Sequence, residues 1–386
     1  MKNRLQDLPK PTSPTTAGRH AVADPHAGVP ASDRLLSLDG WRAISILLVL
    51  GAHCPRTAGY PKLLDPFFSF FDGDLGVRCF FVISGFLITW LLIRERDRNG
   101  GISLKRFYIR RALRILPVYF GFMAVLGLLH AFTPFDQSRP AWVANMTFTT
   151  NFVQPSWPSG HLWSLSVEEQ FYLLWPVLFA AFTLVNRPHT AVALLCAPLL
   201  IAPFWRVVTY KKFYPQSLNV LFMHFSFFNY FDCLAVGCLC AMVLRHWREP
   251  ANAWLVGRAK WVAFAGVTLV LLPYLLHPLH LPGRIYAGST ATFQAAGFAL
   301  LLLQSVTSAG QLWYAPLNWK WVAHIGVLSY SMYIWQQIFC TKPEVFGWPN
   351  FWWMSFPGWL LSVLIVAHLS YYLFERPLFQ LRSRFR

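Results

Sequence analysis

The sequence predicts an all-α fold: a polytopic membrane protein with about ten transmembrane helices. Three observations lead there. Hydrophobic residues make up 55% of the 386-residue chain and charged residues 13%, whereas soluble domains carry roughly a quarter charged residues. Apolar stretches of about 20 residues, the length that crosses a bilayer, recur along most of the chain. Basic residues gather in alternate connections, as the positive-inside rule requires. A large soluble α-domain is excluded by this balance.

The elements follow in order. Residues 1–33, MKNRLQDLPKPTSPTTAGRHAVADPHAGVPASD, are rich in Pro, Ala, Thr and charge and have no apolar core of secretory-signal length. They read as a disordered cytoplasmic tail, because they bury too little apolar surface to offset ordering. A transmembrane domain is expected over 34–380. Its spans are expected near 36–56, 75–94, 112–132, 163–185, 190–208, 226–245, 259–277, 287–307, 322–341 and 354–375. A segment from Trp142 to Phe152 is too short to cross and reads as re-entrant or interfacial. Residues 381–386 form a short basic tail. With ten spans, Arg94, Arg96, Arg98, Lys105, Arg106, Arg110 and the RSRFR terminus share the N-terminal side. Both termini are then cytoplasmic. The net charge of +17 is read as topology and contact with anionic lipids. Nucleic acid is not an expected partner, since no soluble basic domain presents a surface for it. The seven cysteines form no zinc-type pattern with histidines, so no metal is expected.

Three constellations carry chemistry. Arg42 and His53 lie eleven positions apart in LDGWRAISILLVLGAHCP, which on a helix puts them on one face about 16 Å apart. A fixed cation and a titratable group inside a membrane mark a functional site by default. The competing reading is a pair of interior polar groups that hold helices together. In FYIRRALRILP, Arg111 and Arg114 share a helix face. Two guanidinium forks suit a phosphate-bearing ligand, although cationic flanks are also what topology produces. In GHLWSLSVEEQFYLLWP, Glu168 and Glu169 precede Gln170. Adjacent carboxylates point about 100° apart, so at most one should face a shared site. There it would either orient a histidine or pair with an interior arginine.

Together with GVRCFFVISGFLIT, FDCLAVGCLCAM, SYSMYIWQQ and FERP, these stretches resemble acyltransferase family 3. That family comprises bacterial membrane proteins that O-acylate surface glycans and, in some branches, antibiotics. The resemblance runs from about residue 36 to 380. It places the family's Arg-x10-His pattern on Arg42 and His53, its paired arginines on Arg111 and Arg114, and its glutamate on Glu168. Asp39, Glu169 and Gln170 are then supporting residues. Gln336 stands where many members carry histidine, and no esterase-like domain follows, as in the family's stand-alone branch.

The resemblance implies transfer of an acyl group, most often acetyl, from acyl-CoA to a sugar hydroxyl at the bacterial inner membrane. Acyl-CoA is a donor substrate, and no permanently bound cofactor is expected. The phosphates would lie on Arg111, Arg114 and Arg42, His53 would act as base, and Glu168 would orient or charge it. The expected acceptor is a cell-surface glycan or lipid-linked saccharide, with an antibiotic sugar as the alternative. A glycan or lipid transporter is the rival from another class.

Overall fold

A computed structural model of the chain describes residues 37–153, 155–184, 188–213, 226–277, 283–308 and 311–378. The expected tails at 1–33 and 381–386 lie outside the described residues. Among the described residues there is no sheet, only one isolated bridge between Ala58 and Ser355. Twelve helices of eight or more residues are present among them: α1 Leu38–His53, α2 Gly73–Asn99, α3 Leu104–Phe132, α4 Arg139–Met146, α5 Leu162–Leu184, α6 Pro188–Phe213, α7 Phe231–His246, α8 Arg248–Gly257, α9 Ala259–Leu276, α10 Gly283–Thr307, α11 Lys320–Phe339 and α12 Gly358–Ser370.

Ten of these coincide with the ten expected spans, and α4 is the short segment between the third and fourth. By length and apolarity alone, six stretches qualify as crossing helices: those containing α2, α3, α6, α9, α10 and α12. The remaining four long helices are α1, α5, α7 and α11. α1 and α7, at 16 residues each, are short for a crossing helix, whereas α5 and α11 are long enough but carry carboxylate and amide residues that reduce mean apolarity. α2 and α3 outrun their expected spans at the arginine-rich connection. Asp72 accepts from the Leu75 backbone N–H to start α2, and Ser103 accepts from Arg106 N–H to start α3. Gly100 ends α2 in the left-handed conformation. α8, an amphipathic helix in the sixth-to-seventh connection, was not foreseen.

Small residues set the crossings that build the site. A side chain at Gly85 would collide with the Leu234 carbonyl, and one at Gly237 with the Val82 carbonyl, so α2 and α7 touch backbone to backbone. Likewise, a Cβ at Gly326 would strike the backbone of Asp39. α1 and α11 therefore pack at the close range that only small residues permit within a membrane. Polar clamps add to this packing. Arg206 pairs with the fully buried Asp232 and reaches the Gly288 carbonyl, tying α6, α7 and α10 together. Gln170 holds the loop after α4 through Phe148 O at 3.0 Å and Asn151 Oδ1 at 2.8 Å.

Candidate functional site

A cleft opens among α1, α2, α3, α5 and α11. Arg42, Arg111, Arg114 and Glu168 all line it, together with Ser84, Ser164, Tyr330 and Tyr333. Four of the residues singled out in sequence, from three separate helices, thus share one cavity. Arg111 lays its guanidinium over the Tyr172 ring, 3.7 Å from its centre, a geometry that fixes the fork's plane. Its Nε is buried without a hydrogen-bond partner. Arg42 reaches Asp39 Oδ1 only at 3.7 Å, with both side chains partly exposed. That is a weak pair, and it leaves the cation available to an anion.

Glu168 accepts a hydrogen bond from Ser84 Oγ at 2.6 Å, with Arg111 and Arg42 as its cationic neighbours. Glu169 also faces inward, and Arg111 is its nearest opposite charge. Of the two carboxylates, Glu168 lines the cleft and Glu169 does not, though Glu169 is also within the electrostatic influence of Arg111. The structure does not pair Glu168 with His53. The hydrogen-bond partner of Glu168 is Ser84, and the interior arginines Arg111 and Arg42 act on it electrostatically. Gln170 serves the α4 loop rather than the cleft. Glu375 escaped sequence reasoning. It ends a π-turn, Tyr371–Glu375, that continues α12, a type of distortion common at functional sites. Its buried carboxylate accepts from Ser331 Oγ and has Arg114 and Arg42 as cationic neighbours. The available signal was a lone acid in the quoted FERP motif.

His53 ends α1, on the same face as Arg42 but outside the cleft lining. Its Nδ1 lies 3.0 Å from Gln336 Oε1, and Trp157 packs edge-on at 5.3 Å. A glutamine oxygen only accepts, so Nδ1 carries the proton and Nε2 presents a lone pair. The group that meets Nδ1 is an amide from α11, where a carboxylate was expected. It is the departure from the family pattern, at Gln336, that makes this contact. Among the described residues, no group of three or more His, Cys, Asp or Glu could hold a metal ion.

A helical bundle with an arginine-lined cleft, and a histidine at the far end of one of the helices that line it, is an arrangement suited to a membrane enzyme. The family comparison agrees: the model described as an acyltransferase domain matches residues 35–375, and the chain belongs to acyltransferase family 3. It is similar to the peptidoglycan O-acetyltransferase OatA of Listeria monocytogenes, 26% identical over 366 residues, which is 89% of this chain and 55% of that protein. YrhL of Bacillus subtilis, provisionally named a peptidoglycan O-acetyltransferase, is 23% identical over 372 residues, 88% of this chain and 54% of YrhL. The chain spans about half the length of these relatives. No solved structure matches it significantly.

Proposed function

We propose that this chain is an integral O-acyltransferase of the bacterial inner membrane, with both termini cytoplasmic. It moves an acyl group, acetyl by the names of its relatives, from cytoplasmic acyl-CoA to a hydroxyl of a cell-surface glycan or lipid-linked saccharide. The observation that carries this reading is the His53–Gln336 contact at 3.0 Å at the far end of a helix whose near end places Arg42 in the arginine cleft. A cytoplasmic nucleotide bound at Arg111, Arg114 and Arg42 would have to extend its thioester about 16 Å to meet His53, the rise of eleven helical residues. The pantetheine arm has that reach.

His53 Nε2 takes the proton of the acceptor hydroxyl as its oxygen attacks the thioester carbonyl. The C–O bond forms, the C–S bond breaks, and the proton passes from Nε2 to the departing thiolate. Gln336 holds the ring, and Glu168 and Glu375 hold the arginines. Protein reconstituted in nanodiscs with radiolabelled acetyl-CoA should release CoA in the presence of acceptor, and the His53→Ala protein should not. Normal turnover by well-folded His53→Ala protein overturns the mechanism.

A further inference from the structure

A second histidine sits in the same setting as His53. His161, in the turn before α5, is 3% exposed. Its Nδ1 lies 2.9 Å from Gln337 Oε1, and its backbone N–H donates to that same oxygen at 2.9 Å. By the argument used for His53, Nδ1 carries the proton and Nε2 is an acceptor. That Nε2 is buried and has no hydrogen-bond partner, a rare condition that calls for an explanation. The ring rests edge-on against Tyr333 at 5.4 Å. Tyr333 lines the cleft, its OH donates to the His161 carbonyl at 3.1 Å, and it shares a hydrogen bond of 2.6 Å with Ser164, another cleft residue. His53 is close enough to influence His161 electrostatically. Two consecutive glutamines of α11 thus hold two histidines from distant segments in the same tautomer, and both Nε2 atoms are left to accept.

We propose that His161 is a second acceptor-substrate contact. Its Nε2 takes a hydrogen bond from an O–H or N–H group beside the hydroxyl that His53 deprotonates. The site therefore selects a sugar, which carries several such donors, over a simple alcohol or water. The inference rests on the acyl-transfer reading above and adds to it the recognition of the acceptor. Burial holds the His161 pKa down at about 4, against the opposing hydrogen bonds to the Gln337 side chain and the Ile334 backbone, so the ring is neutral at working pH.

The test is a cycle between residue and substrate. Acetyl transfer from acetyl-CoA is measured with methyl β-N-acetylglucosaminide, its monodeoxy analogues and methanol as acceptors. For wild type, one deoxy analogue should show an acceptor KM raised about tenfold, the size of one lost hydrogen bond. His161→Asn keeps a donor near the Nδ1 position for Gln337 and removes Nε2. It should raise the acceptor KM by the same factor, leave the acyl-CoA KM in place and show no further loss with that analogue. His161→Gln, which restores a polar atom near the Nε2 position, should recover part of the loss.

A merely structural His161 would weaken glycoside, deoxy analogues and methanol alike, and that result overturns the proposal. So does a change in acyl-CoA KM instead of acceptor KM, or wild-type protein that acylates methanol as readily as the glycoside. If wild type neither transfers acetyl nor shows His53-dependent hydrolysis of acetyl-CoA, it is the acyl-transfer reading that falls.

Discussion

Gln336→Leu tests how His53 is aimed. The side chains are similar in volume, so the main change is loss of the Oε1 acceptor 3.0 Å from His53 Nδ1. In the proposed mechanism the imidazole becomes an imidazolium, and the Nδ1–H contact becomes charge-assisted, worth about 1.5–3 kcal/mol. At about 1.4 kcal/mol per decade, kcat should fall about 10–150-fold. The acyl-CoA KM should stay, because Gln336 is not among the residues lining the arginine cleft. Stability should hardly change. Gln336 is fully buried, and its Nε2 has no hydrogen-bond partner. Deleting the amide removes an unsatisfied donor that costs about 1–3 kcal/mol but orphans the His53 Nδ1–H at a similar cost, so the two nearly cancel. Steady-state CoA release in nanodiscs reads the rate, and thermal unfolding in detergent reads the stability. A Gln336→Leu protein with kcat within twofold of wild type would refute the claim that this amide orients the base.

Arg111→Lys keeps the charge but loses the planar fork and its stacking on Tyr172, so CoA affinity by calorimetry should fall about tenfold; unchanged affinity would leave Arg111 a topological residue. Glu168→Gln retains an acceptor for Ser84 and removes charge beside Arg111 and Arg42. It should alter acyl-CoA affinity more than kcat, and a heavy loss of kcat at unchanged affinity would return Glu168 to His53. His161 binds its proton less readily in the fold, with a pKa of about 4, than in the unfolded chain at about 6.5. The unfolded state takes up the extra proton, so stability should drop as pH falls from 6.5 towards 4. The melting temperature of the His161→Asn protein should show a shallower decline across that window, and an identical slope would remove His161 as its source.

The long helices were legible because bilayer-length apolar runs leave little choice of structure. α8 was missed because an amphipathic helix of ten residues has too little apolar length to register as a span. Arg42, Arg111, Arg114 and Glu168 could be found by spacing and motif, and the cleft joins them. Their partners could not be found in this way. Tyr172 under Arg111, Ser84 at Glu168 and Gln336 at His53 are long-range contacts, the last across 283 positions, and no local periodicity encodes them. His161 stood inside a quoted motif without being singled out, because nothing in its immediate neighbours marks a ring nitrogen as unpaired.

That separation also orders events during synthesis. Once His53 has been made, the ribosome must add another 283 residues before Gln336 exists. At about 5–20 residues per second this takes about 15–60 s. Through that interval the nascent chain carries an imidazole free to turn. Arg42, Arg111 and Arg114 are already in the membrane, but the α11 wall of their cleft is missing. Under the proposed mechanism, chains cut short before α11 should therefore be inert towards thioesters.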